Sequence, residues 1–188
     1  MMRRALPLRR FAEDRSGIAA IEFALVLPVV ALIVAASVDF GAILFTKFKL
    51  DESVSSAANY AMVNAGSVNS TGALSLATTL ANLVASSRGS GWANSSVQVN
   101  AGQSAAVTNA ALTTSGAGSQ ADSCYCPTGS AASVTWGSAQ TCGASCPGGG
   151  FAGKFVQLSA NRSYTPLFSG FGLVASHTIT ASSLVQVQ

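Results

Sequence analysis

Apolar residues follow one another almost without interruption from Ile18 to Phe45, in the run IAAIEFALVLPVVALIVAASVDFGAILF. As an α-helix this run spans ~42 Å, more than the ~30 Å hydrocarbon core of a bilayer. It is longer than the roughly 7–15 apolar residues of a secretory signal. The Ala35-Ala36-Ser37 cluster imitates a small-residue cleavage site, but the apolar pattern resumes directly after it. The run is therefore expected to be a transmembrane helix, kinked at Pro28. The helical period continues beyond it, with Leu50, Val54, Ala58, Ala61 and Ala65 on one face and Asp51, Glu52, Ser55, Ser56 and Asn59 on the other. Gly66 is a natural stop. A loop over 67–73 and a second helix over Leu74–Ser87 follow, the latter marked by Leu76, Leu80, Leu83 and Val84.

After the Arg88-Gly-Ser-Gly91 break, the period shortens from that of a helix to that of a strand. Val97 and Val99 alternate with polar residues, Ala131–Trp136 is a short strand candidate, and Val156, Leu158 and Ala160 open a strand reaching about Tyr164. Ile179, Ala181, Val185 and Val187 form a last strand. Residues 100–153 are rich in Gly, Ser and Ala, and are expected to be a loop-rich insertion. The pattern predicts an α+β chain: a long N-terminal membrane-spanning helix packed against a small β-rich exported domain. The expected divisions are 1–17, 18–45, 46–66 and 67–188.

Charge changes the picture at one end only. Charged residues make up 9% of the chain and the net charge is +3. Arg3, Arg4, Arg9, Arg10 and Arg15 all precede Ile18, and the chain after Gly17 is neutral. Such a tail beside an apolar run is a topology signal rather than a nucleic-acid contact, because Lys and Arg flanking a span stay cytoplasmic. Lys47 and Lys49 oppose it weakly. Residues 1–17 thus read as a cytoplasmic basic leader and residues 67–188 as exported.

Two acids interrupt the apolar run. Asp39 falls near the outer interface and needs little explanation. Glu22 lies five residues after Gly17, where a charge in lipid is costly. Gly17 would let the backbone extend into a peptidase site without a side-chain clash, and Glu22 could neutralise a new α-amino group when subunits stack. A basic leader ending in Gly17, then Ile18-Ala19-Ala20-Ile21, then Glu22-Phe23, resembles the processing site of Flp-type prepilins. Over about residues 14–65, the Glu-Phe pair, the Pro closing LVLP, the DFG after the span and the small-residue helix behind it resemble the TadE-like family in order. These are minor pseudopilins of tight-adherence (Tad) pilus systems. The ending YTPLFSGFGLVASHTITASSLVQVQ resembles the C-terminal end of many such proteins more loosely.

The resemblance implies a pilin-like plan, cleavage between Gly17 and Ile18 by a prepilin peptidase, and a role for Glu22 in processing or assembly. It implies as partners the membrane, that peptidase, the major Flp pilin, other minor pseudopilins and the inner-membrane Tad assembly platform. The location implied is a single pass in the bacterial inner membrane with a periplasmic C-terminal domain, passing into an extracellular pilus. Major Flp pilins are much shorter, so a domain of this size fits a minor component.

Cys124, Cys126, Cys142 and Cys146 lie within the insertion. The C-x-C spacing is short for zinc, and the exported location favours disulfides. Links between the first pair and the second are expected, as Cys124–Cys146 with Cys126–Cys142 or as the crossed alternative. Trp92, Tyr125, Trp136 and Phe151 are expected to anchor a small core, a carbohydrate- or surface-binding patch being the alternative, and the single His177 to be a surface residue. No paired carboxylates, P-loop or metal motif appears, so neither enzymatic activity nor a cofactor is expected. The other reading is an uncleaved membrane-anchored periplasmic module that binds a ligand with its stapled domain.

Overall fold

The computed structural model describes residues 17–168 and 177–188. The leader arginines Arg3, Arg4, Arg9, Arg10 and Arg15 lie outside the described residues. One α-helix, α1, runs from Ile18 to Val63 through Pro28. The proline withholds the N–H that the Ala24 carbonyl would accept, which a span tolerates where local groups compensate. The chain divides into two compact units, with the boundary inside α1 after Gly41.

The first unit comprises residues up to Gly41 together with Pro166–Ala175. Its part of α1 is long and apolar enough to cross a membrane, and the most apolar window is only 6% buried. That exposure separates it from the core helix of a soluble protein. Ile21, Phe23, Leu25, Val29 and Ile33 all stand free. Within a span every backbone group must be satisfied internally, which an α-helix does by itself.

The second unit holds the remainder of α1, a short 3-10 turn over Ala65–Ser67, the helix α2 (Ala73–Ala85) and two sheets. The strands are β1 (Asn94–Val99), β2 (Ser104–Thr108), β3 (Ala111–Ser115), β4 (Thr128–Ser130), β5 (Ser133–Thr135), β6 (Phe155–Tyr164) and β7 (His177–Gln186). Five of them form an antiparallel sheet in the order β3-β2-β1-β6-β7, and β4 pairs with β5 in a separate hairpin.

The inward residues of alternate positions (Val97 and Val99, Ala105 and Val107, Val156 and Leu158, Ile179 and Ala181) meet Leu76, Leu80 and Val84 of α2 in one core. Leu50, Val54, Ala57, Ala58 and Ala61 of α1 join it. This is the small-residue face expected from the helical period, with Ala57 added and Ala65 only half-buried. Lys47 Nζ donates to the Thr180 carbonyl on the edge strand β7 (2.8 Å) and to Asp51 (2.6 Å).

The insertion is shorter than its composition suggests. Residues 104–115 belong to the main sheet as the β2–β3 hairpin, which corrects the expectation of a loop-rich 100–153. Ala and Thr give these strands little polar-apolar contrast, and β3 is exposed throughout. The tight turn at Asn109 (φ 50°) and Ala110 (φ 65°) has both central residues left-handed, a geometry usually announced by Asn-Gly. Alanine in the glycine position hid it.

Asn100 ties the sheet to the insertion. It is fully buried, with φ 56°. Its Oδ1 accepts the Phe155 N–H (2.9 Å), and its Nδ2 donates to the carbonyls of Ala121 (3.1 Å) and Ser123 (2.8 Å). Asp122 reaches the other way and accepts the Ser70 N–H at 2.9 Å. Hydrogen bonding from Ser70 holds its carboxyl below the ordinary value of 3.8.

Two predictions arise. Asn100→Ala strands three polar partners and is expected to destabilise the domain by about 2–4 kcal/mol, read as a loss of thermal midpoint for the full chain in detergent. Asp122 stabilises the fold above its unfolded-state pKa, and the effect is lost as pH falls through the lower folded-state value. Asp122→Asn should therefore lower the midpoint at neutral pH, and the gap should close under acid.

Candidate processing segment and stapled insertion

Gly17 immediately precedes α1. A Cβ placed on it would meet nothing within 4 Å, and its φ is not left-handed. Among the described residues, then, no packing demand explains a glycine here. Ile18 and Phe23 are 50% and 65% exposed, and Glu22 is exposed as well. Glu22 lies four residues after Ile18, which puts the two on one face a single turn apart, ~5–6 Å between Cβ atoms. Glu22 makes no ion pair among the described residues. A carboxylate one turn inside a helix N-terminus can offset both the positive end of the helix dipole and an amine placed there.

Asp39 behaves in the opposite way, with hydrogen-bond partners that a place near the outer interface did not announce. It is 1% exposed. Its Oδ1 accepts the Leu167 N–H at 2.8 Å, and its Oδ2 accepts the Phe168 N–H at 3.2 Å. The partners come from far along the chain, so no local pattern could reveal them.

In the insertion, Cys124 bonds to Cys142 and Cys126 to Cys146. The crossed alternative is therefore the one present, and the bonded sulfurs are closed to zinc. Cys124 and Tyr125 are buried, and Tyr125 exchanges backbone hydrogen bonds with Gly153. Tyr125 meets Trp136 edge-on at 6.1 Å. Trp92 packs at the border of the main core under the Arg162 guanidinium. Phe151 departs from the expected anchoring role, because it is 64% exposed. With Trp136, Pro147 and Leu184 it lines an open groove of about 670 Å³. His177 is exposed beside the Tyr164 ring. Among the described residues no three His, Cys, Asp or Glu side chains gather as a metal site.

The family model described as TadE-like protein matches residues 17–59. The N-terminal helical segment is therefore similar to that of TadE-like proteins. The match opens on Gly17 and covers the apolar run with the first turns of α1 in the core. It leaves the sheet, the stapled insertion and the looser C-terminal resemblance outside. No curated protein and no solved structure matches the chain.

The pairing is open to direct test. Cleaving the denatured, unreduced chain after Tyr125 and again between Cys142 and Cys146 should leave three peptides joined as one, the middle peptide holding Cys124 through Cys142 and Cys146 through Cys126. Recovery of 124 with 146, or of four free thiols, would refute it.

Proposed function

We propose that this chain is a minor pilin-like structural component of a bacterial Tad/Flp pilus system, cut between Gly17 and Ile18 by a prepilin peptidase. The observation that carries the reading is the TadE-like match over 17–59, which begins at the residue before the proposed cut. Three features support it. Gly17 has no fold-imposed reason to be glycine among the described residues. Glu22 is exposed one turn from the proposed new terminus. And α1 continues from an exposed apolar segment into a packed core without interruption, so a signal-type cut at Ala35-Ala36-Ser37 would fall in mid-helix.

In this role the arginine tail stays in the cytoplasm, α1 crosses the inner membrane once, and the disulfide-stapled domain lies in the periplasm. There the protein meets the peptidase, the major Flp pilin, its sister pseudopilins and the Tad assembly platform. Its contribution to biogenesis and adherence is structural rather than enzymatic and needs no cofactor or nucleic acid. The groove beside Trp136 and Phe151 is the observation that favours the second reading, an uncleaved anchored module that binds a ligand there.

N-terminal sequencing of the protein from cells with and without an active prepilin peptidase separates the two. A mature chain that begins at Ile18 only when the peptidase is present supports the pilus role, and Glu22→Ala should then block processing or assembly while the domain still forms its disulfides. Persistence of the intact leader in both strains would overturn it.

A further inference from the structure

The Asp39 carboxylate does more than hide a charge. It captures two successive backbone N–H groups, those of Leu167 and Phe168, at the head of the β6–β7 connection. Hydrogen bonds to an ionised acceptor are among the stronger ones a chain can form, and two of them offset much of the penalty for burying a carboxylate. The side chains on this captured backbone are large and apolar. Leu167 is 71% exposed and Phe168 37% exposed, while Pro166 before them is buried. Connections usually run over the surface as solvated backbone. Here two consecutive N–H groups have been withdrawn from water, and the side chains they carry are ones that water does not favour.

Depth along α1 says what covers them. Asp39 comes 21 residues after Ile18, a rise of ~32 Å at ~1.5 Å per residue, close to the ~30 Å hydrocarbon thickness of a bilayer. With Ile18 at the inner boundary, Asp39 reaches the outer one. The neighbouring α1 side chains Val34, Val38 and Phe40 are 45–60% exposed, so the apolar surface of the helix continues to the level of the captured loop.

We infer that Leu167 and Phe168 form a second membrane contact, seated in the interfacial layer of the outer leaflet and held there by Asp39. The site would take a phospholipid surface at the depth where acyl chains begin. It rests on the reading that α1 spans the bilayer. Asp39 is a positioning residue in this arrangement: its two acceptor oxygens fix the loop, and the loop meets the lipid.

The test uses the full chain reconstituted into phosphatidylethanolamine/phosphatidylglycerol vesicles that carry a photoactivatable diazirine lipid, with labelled residues located by peptide mass mapping. A diazirine near the glycerol should label Leu167 and Phe168. A diazirine near the acyl end should label the middle of the span around Val29 and spare the loop. In Asp39→Ala, labelling of 167–168 should fall about tenfold, as expected for loss of charge-assisted hydrogen bonds, with span labelling unchanged. Asp39→Asn keeps one acceptor oxygen and should fall between the two, and intact Cys124–Cys142 and Cys126–Cys146 links verify that each variant is folded.

A labelled span with an unlabelled loop would overturn the inference and leave the span standing. Cross-linking of the loop to a second copy of the chain instead of to lipid would overturn it in favour of a subunit contact. An unlabelled span would sink the spanning reading itself. Loop labelling that ignores Asp39→Ala would remove Asp39 as the holder.

Discussion

Both compact units depend on α1 remaining one helix from Ile18 to Val63, which bonds its peptide groups internally except where Pro28 withholds the donor of the Ala24 carbonyl. What changes along it is the surface. Before Gly41 most side chains are apolar and exposed, Ala35 and Asp39 excepted; beyond it the buried ones narrow to a stripe of Leu50, Val54, Ala57, Ala58 and Ala61. The same helix thus carries two kinds of surface, an exposed apolar one long enough to cross a membrane and a packed one. In the second unit α2 and the main sheet share one core with that stripe. α2 contributes Leu76, Leu80 and Val84, and the sheet contributes the inward residues of β1, β2, β6 and β7.

The core so formed is built of small residues. Leu50, Leu80 and Leu158 are its largest fully buried side chains, and alanines fill much of the rest. Burial stabilises by roughly 25 cal/mol per Å² of apolar surface, so an alanine-rich core yields less per residue than one rich in leucine and phenylalanine. Directed polar ties compensate. Asn100 joins β1 to the insertion and to β6, Ser95 Oγ bonds the Ala81 carbonyl of α2 at 2.8 Å, and Lys154 Nζ reaches the Val68 carbonyl at 2.8 Å. The stretch around the cysteines has little apolar content of its own, and two disulfides hold it where side-chain packing could not.

A nearly unbroken apolar run made the first part of α1 legible, and periodicity its remainder, α2, β1, β6 and β7. The β2–β3 hairpin was illegible for the converse reason. Ala105 and Val107 face inward, but Ala106 between them has the same character, and Ala110 occupies a turn position where glycine would have announced the reversal. The cysteine pairing could not be read either. Cys124 and Cys126 lie two residues apart, and spacing alone left both sets of links between the two pairs open. The partners of Asp39 were illegible because they arrive from the β6–β7 connection, a separation no local window spans.

The two acids of the apolar run show how one chemistry is put to two uses. A carboxylate in lipid is tolerable only when something satisfies it. Asp39 is satisfied from within, by backbone donors the fold delivers, and so it needs nothing from outside the chain. Glu22 finds no ion-pair partner among the described residues and stands exposed near the start of the same helix. On the proposed reading, removal of the leader creates a cation at Ile18, one turn away. A subunit's own amine could then meet its own Glu22, but the helix dipole already disfavours positive charge at that end. An amine from a neighbouring processed subunit would satisfy Glu22 as well, and would set the axial register between the two helices at the same time. The unsatisfied acid is thus the one suited to assembly, and the satisfied one is suited to fixing the fold.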